Sequence, residues 1–397
     1  MAVDGDTGGE LLDAPGIEGL VSKHERLRAS GVNLLASENR LSRRVRDALA
    51  SDLAGRYQDA GYGGSVHARE IVSETEQLAA RLFRAEHALV SSLSGNLCVL
   101  AAVSAFTSPG DAVAMLPFAA GGYPLGVEKF NRRRVDIPAD SGSLSMDAAR
   151  TVELLVQEKV GLAFLGASFI PFPHPVAEIR RGLEEAGHHC LLVYDGSHVL
   201  GLIACGEFQD PLREGADMLI GSTHKSLYGP QGGLVLSDSP HLASSMRKML
   251  ELDLEDGIGL VDNPHLNRIA ALGLALEEMQ EDPGYGNRVV ENSRALARAL
   301  DEQGVPVRFS ERGYTSSHQV LLDLSTAEAE RLCRGLEEVS IFIDAWARLG
   351  TAEATHRGMG PQEMRAVAGC IAPVYRRDPA AGIAETVREL AAAFDLP

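Results

Sequence analysis

Gly221-Ser222-Thr223-His224-Lys225-Ser226-Leu227-Tyr228-Gly229-Pro230-Gln231-Gly232-Gly233 sets a single lysine between the end of one apolar run and a Gly/Pro-rich turn. Leu219-Ile220 closes the first run and Leu234-Val235-Leu236 opens the next, so Lys225 falls on a tight connection from which a side chain reaches a cleft. The chain uses five lysines against thirty-two arginines. A lysine kept at this position suits Schiff-base formation, which needs an amine able to lose its proton and which arginine cannot supply. Taken alone, the same tetrapeptide also fits a surface loop.

Two further segments bear on the choice. Leu191-Leu192-Val193-Tyr194 reads as a buried strand that ends in Asp195-Gly196-Ser197-His198, and in an open α/β sheet the carboxyl ends of the strands are where ligands bind. An aspartate there can hold the protonated pyridine nitrogen of pyridoxal phosphate, with a histidine one turn later against the ring or the substrate. A helix N-cap and a packed histidine are the plainer alternative. Ser91-Ser92-Leu93-Ser94-Gly95-Asn96 precedes an apolar helical stretch from Leu97 to Phe106, and small residues opening a helix leave backbone N–H groups free for a phosphate. The three segments in this order are far more specific than any one of them.

Together with Leu34-Leu35-Ala36-Ser37-Glu38-Asn39, the segment Tyr57 to Gly64, Tyr194 to Leu202 and Arg348-Leu349-Gly350-Thr351, they resemble the serine hydroxymethyltransferases over roughly Val32 to Gly358. The resemblance implies an α/β protein of pyridoxal-phosphate fold type I, like aspartate aminotransferase, with a large, mostly parallel sheet domain and a small C-terminal α+β domain. It implies that Lys225 forms the internal aldimine, that Asp195 pairs with the pyridine nitrogen, and that Ser94, Gly95 and Asn96 hold the phosphate. Ser168, His198 and His224 are then near the ring. Arg348 grips the substrate carboxylate with help from Ser37, since a two-point guanidinium fork fits a carboxylate as lysine does not. It further implies a homodimer with shared active sites, in which Tyr57 reaches the phosphate of the neighbouring subunit and Tyr62 is a catalytic group.

The departures from the family matter equally. The histidine that stacks on the cofactor aligns with Tyr123, which stacks as well but changes the acid/base group over the ring. The glutamate used as a proton shuttle in folate-linked transfer aligns with Asp59, whose carboxyl is one methylene nearer its backbone. The long loop before the carboxylate arginine is largely absent: Ile341-Phe342-Ile343-Asp344 runs through Ala345, Trp346 and Ala347 straight to Arg348. Strand alternation would put Trp346 on the face of Arg348, bordering the substrate, with a core tryptophan as the alternative. Tyr123, Phe169 and Phe172 would then form an aromatic wall.

Composition bounds the rest. The 397 residues carry 45% hydrophobic content and a formal charge of −18, which supports a buried core and opposes binding to nucleic acid or an anionic membrane. No apolar run spans a membrane, and the acidic N-terminus (Asp4, Asp6, Glu10) carries no export signal, so a cytoplasmic protein is expected. Cys98, Cys190, Cys205, Cys333 and Cys370 have no metal spacing and read as packed residues, so no metal is expected. Arg132-Arg133-Arg134 reads as a solvated strand start. After a loose tail and a helix to about residue 28, strands and helices alternate to Leu236; longer amphipathic helices follow from 266 and 284, with strands at 305–309, 320–324 and 341–343. The expected divisions are an N-terminal arm, 1–40, a large cofactor domain, 41–263, and a small domain, 264–397.

The expectation for function is a folate-independent enzyme of specialised, antibiotic-type metabolism. It would act through an external aldimine and quinonoid on a β-substituted L-amino acid, by β-elimination or decarboxylation of a bulky, S-linked cysteine type of substrate. Aldolase or transaldolase action, true serine hydroxymethyltransferase activity and a non-catalytic module with the same fold are the alternatives.

Overall fold

The computed structural model describes residues 16–58, 61–253, 257–378 and 382–394. Its centre is a seven-stranded sheet built from β1 (His87–Leu89), β2 (Ala112–Met115), β3 (Arg133–Asp136), β4 (Leu162–Leu165), β5 (Leu191–Asp195), β6 (Met218–Ser222) and β7 (Gly233–Ser237). The strand order is β1-β7-β6-β5-β4-β2-β3. β7 is antiparallel to both neighbours and every other pairing is parallel. Parallel strands need covered faces, and β2, β4, β6 and β7 are buried along their whole length. The helix Gly95–Phe106 lies against one face and buries Cys98, Val99, Ala101, Ala102 and Val103. Among the described residues no helix is long and apolar enough to cross a membrane.

The arginine run falls at the start of β3 as expected, where Arg133 pairs with Glu158 at 2.7 Å and Arg134 with Asp136 at 2.7 Å on an accessible edge. Cys98, Cys190 and Cys370 are buried, and Cys205 and Cys333 are half-buried. The expected strand at 305–309 does not form. Val307 makes one bridge to Leu322, and Phe309 turns into the left-handed region at φ 64° to start a short 3-10 turn at Ser310–Arg312.

A second core gathers Leu296, Leu300, Val320, Leu332, Leu349, Val367 and Ile371. It begins later than the composition shift at 263 suggests. The helix Leu266–Glu281 buries Ile269, Leu272, Ala275 and Leu276 in the sheet-domain core, and the helix Tyr285–Glu302 spans both, giving Tyr285 and Val289 to the first core and Leu296 and Leu300 to the second. Amphipathic periodicity marks a buried face without naming the core that receives it. The expected N-terminal arm is divided as well. The helix Ile17–Ala29 buries no residue, whereas Val32–Asn33 pairs in parallel with Ile341–Phe342 and places Val32 and Leu34 in the second core. Met1–Pro15 lies outside the described residues.

The close approach of Gly201 to the lysine loop positions the site. A Cβ at Gly201 would lie 2.2 Å from the carbonyl oxygen of Ser226, the residue after Lys225. Overpacking at such a backbone contact costs about 1–3 kcal/mol. Gly201→Ala is therefore expected to lower the thermal unfolding midpoint and loosen the Lys225 loop. An unchanged midpoint in calorimetry would show that the loop gives way freely.

Candidate active site

The loop between β6 and β7 is tied at almost every residue. Thr223 N–H donates to Gly232 O at 3.1 Å, the Thr223 hydroxyl donates to Pro230 O at 2.6 Å, and Gly229 N–H donates to Thr223 O at 2.8 Å. Asn39 Nδ2 donates to Lys225 O at 2.8 Å, Tyr285 Oη donates to Ser226 O at 3.0 Å, and Gly201 N–H donates to the Ser226 hydroxyl at 3.1 Å. Tyr228 takes a left-handed φ of 49° to close the turn. Lys225 therefore projects from a rigid backbone. Burial pushes its amine down to about 8, against the opposing pull of the Asp195 carboxylate. A substantial neutral fraction of the amine is available near physiological pH.

Asp195 ends β5 and accepts from Ser197 N–H at 3.0 Å. His198 follows, buried, with its ring stacked on His318 at 5.8 Å between centroids. Burial holds His198 well below the ordinary histidine range, His224 near 4 and His318 near 3, so all three are neutral at pH 7. The Nδ1 atoms of His198, His224 and His318 have no hydrogen-bond partner among the described residues. At the helix start, Ser94 caps Leu97 N–H at 3.2 Å, and a Cβ on Gly95 would lie 2.4 Å from Ser222 Oγ and 3.1 Å from Ser197 Oγ. Two hydroxyls, a helix N-terminus and a glycine thus converge between β5 and β6. That cradle, the depressed amine and the orphaned imidazoles fit a phosphorylated pyridine aldehyde in both charge and shape. Asn96 is exposed beside the cap.

On the other side of the cleft, Arg348 is buried at 4% exposure. Its Nε donates to Asp344 Oδ2 at 2.9 Å, its Nη1 donates to Ser168 O at 2.6 Å, and its guanidinium carbon lies 4.6 Å from the centre of the Phe169 ring. Gln319 Nε2 donates to the same Ser168 carbonyl at 2.9 Å. Ser37 lies in the segment that leads to Asn39, held against the Arg348 strand by Gly350 N–H to Leu34 O at 2.7 Å and by His318 Nε2 at 2.9 Å from Ala36 O.

The remaining expected residues fall elsewhere. Tyr123 is 46% exposed and lines a small cavity with Gly166 and Asp195. Tyr57 stacks on Tyr62 at 4.9 Å in an open pocket with Arg69, Glu76, Leu252 and Pro264, whose lining does not include Lys225. Asp59 lies outside the described residues. Phe172 does not join the aromatic wall: it packs edge-on against Phe309, with Arg312 over its ring. Trp346 is not a core residue, being 61% exposed, and it is not on the Arg348 strand either. Asp344 Oδ1 accepts from Trp346 N–H at 3.0 Å and from Arg348 N–H at 3.3 Å, and Ala347 turns to φ 58°, so the strand starts only at Arg348. Asn39, Asp344, His318, Gln319, Ser197 and Ser222 were not among the expected site residues. Asn39 belongs to the Leu34–Asn39 block that carries the family resemblance, and Asp344 lies four residues before Arg348 in the segment that leads to it.

The model of the family described as serine hydroxymethyltransferase matches residues 13–371. The chain belongs to that family. Curated serine hydroxymethyltransferases from Methanothermobacter thermautotrophicus and Methanopyrus kandleri are 38% and 36% identical, covering 89% and 97% of this chain and 88% and 94% of their own lengths. A solved structure of L-threonine transaldolase from Pseudomonas fluorescens in its internal aldimine state superposes with a TM-score of 0.84 at 27% identity, covering 96% of this chain and 91% of that one. As a family member with this fold the chain is a pyridoxal-phosphate enzyme of fold type I.

The state of the lysine gives a pH test. With the amine near 8 in the unliganded protein, the neutral fraction rises about tenfold between pH 7 and pH 9. Covalent capture of added pyridoxal phosphate by the apo-protein, followed by absorbance, should rise with pH over that interval and be lost in Lys225→Ala. A flat profile, or an adduct still trapped by borohydride in the variant, would point to another amine.

Proposed function

We propose that this enzyme cleaves the Cα–Cβ bond of a β-hydroxy-α-amino acid without folate and passes the amino-acid fragment to an aldehyde. The observation that carries this reading is the closure of residues 344–348 on the Asp344 carboxylate, which fixes Arg348 and leaves a short turn where a folate-holding loop would stand. Bound pyridoxal phosphate supplies an electron sink for a bond breaking at the amino acid's Cα. Lys225 would supply the amine that holds the cofactor. Asp195 would meet the pyridine nitrogen, Ser94, Gly95, Ser197 and Ser222 would receive the phosphate, and Tyr123 would cover one face of the ring.

Arg348 offers the substrate carboxylate the guanidinium edge that Asp344 and Ser168 leave open. A carboxylate gripped there loses a charge-assisted contact as it becomes carbon dioxide, so the fork stabilises the ground state more than a decarboxylating transition state. This argues against decarboxylation and leaves Cα–Cβ or Cα–H cleavage. Cleavage of the first moves the β-hydroxyl proton to a base and releases an aldehyde; Cα then takes either a proton, giving glycine, or the carbonyl carbon of a second aldehyde, whose oxygen takes the proton back from the base. His198 and His224 are neutral and able to accept it. β-Elimination would instead release ammonia and a keto acid. The likeness to a protein named L-threonine transaldolase supports the aldol-type reading, and the changes at Tyr123 and in the 344–348 turn suit specialised metabolism better than one-carbon supply. A second reading, ordinary serine hydroxymethyltransferase action, is favoured by the curated relatives.

With L-threonine and no folate, the expected products are glycine and acetaldehyde, with exchange into an added aldehyde. Keto acid and ammonia as the main products would replace this reading with β-elimination, and turnover that starts only with tetrahydrofolate and serine would restore the second.

The placement of Tyr57 and Tyr62 away from Lys225 supports a homodimer in which each site is completed across the interface. Co-expressed Lys225→Ala and Tyr57→Phe subunits, each inactive alone, are expected to regain part of the activity in verified heterodimers. Absence of recovery would argue for self-contained subunits.

A further inference from the structure

We propose that the cleft between Phe118, Phe169 and Trp346 is a subsite for an aryl group on the Cβ side of the substrate, an inference that rests on the aldol-type reading above. The cleft has a volume of about 260 Å³ and is walled by Phe118, Leu144, Phe169, Ala345, Trp346 and Ala347. No carboxylate lines it, and its polar groups are Ser141, Thr326 and Arg308, the last engaged with the carbonyls of Ser141 and Gly142. Whole ligands of drug size take about 300–1,000 Å³, so this space suits one ring and not a bicyclic heterocycle with a tail.

The walls are open in a way that calls for an occupant. Phe118 is 52% and Trp346 61% exposed, although the backbone of Trp346 is fixed by Asp344. Large aromatics held rigidly with bare faces are typical of recognition surfaces. The cleft also shares a wall with the carboxylate end of the site. Phe169, which lines it, lies under the Arg348 guanidinium, Ala347 precedes Arg348, and Gly121 O accepts from both Ser168 and Phe169 N–H at 2.8 and 3.1 Å. A substrate anchored at Arg348 therefore has an apolar, aromatic-walled space beside it, at the position the missing loop vacates.

Trp346 is the only tryptophan in the chain, so its fluorescence reports this cleft alone. Titration of the holoenzyme with benzyl alcohol, a ring without the amino-acid head, and with L-phenylserine, a ring on the substrate, is expected to give saturable quenching or a blue shift. Ethanol and L-threonine should give little. Saturation by phenylserine alone assigns the ring to the amino-acid substrate, and saturation by both extends the subsite to a free aldehyde acceptor. Phe118→Ala, at an exposed position, should weaken both aryl probes about tenfold while threonine affinity, read from the cofactor's absorbance, changes less than twofold. Linear, unsaturable responses to both probes, or an equal loss for threonine and phenylserine, would overturn the subsite. Because the benzyl alcohol signal needs no turnover and is repeated in Lys225→Ala, its presence without folate-free cleavage would reject the proposed reaction and keep the subsite.

Discussion

An amine withdrawn from water governs this site. Lys225 is useful only if its proton leaves readily, and burial between two β-strands and a capped helix does that more than any neighbouring charge. The cost is a loop that must hold its shape without the side chain's help. It is met by backbone ties from distant parts of the chain: Asn39 to Lys225 O, Tyr285 to Ser226 O, and Thr223 across to Pro230 and Gly232. Gly201 removes the last obstacle by allowing helix and loop to touch at the backbone.

The opposite wall follows a similar logic with the sign of charge reversed. Arg348 is buried with the Asp344 carboxylate on its Nε and a main-chain carbonyl on its Nη1, so the buried guanidinium is paired. Asp344 does two jobs, since the same carboxylate caps the turn that shortens the chain ahead of the arginine. The turn ahead of the arginine and the arginine itself therefore depend on one carboxylate.

The chemistry at strand ends was legible because it is local. Lys225 behind β6, Asp195 at the end of β5 and Ser94-Gly95 opening a helix are each readable from a few adjacent residues and their apolar context. The mostly parallel character of the sheet followed from the alternation of strands with helices. Partners joined across long separations carried no such mark: His318 stacks on His198 and bonds Ala36, and Gln319 bridges Ser168 and Ile170. Trp346 misled for a related reason. Alternation presumes an extended strand, and the positive φ at Ala347 leaves Trp346 outside the strand, which begins at Arg348. The domain limit moved because a helix's apolar face fits either core.

The pairing of Val32–Asn33 with Ile341–Phe342, with Ala36 packed against Gly350, has a consequence for how the chain is made. The second core needs a strand that leaves the ribosome long before its partners do. Until those partners arrive, Val32 and Leu34 have nowhere to be buried, and Ser37 and Asn39 hang from an unanchored segment. The sheet domain can condense first, since its strands run from 87 to 237, but the cleft acquires its second wall only when the last quarter of the chain has emerged. A nascent or truncated chain can thus present Lys225 before Arg348 stands opposite it.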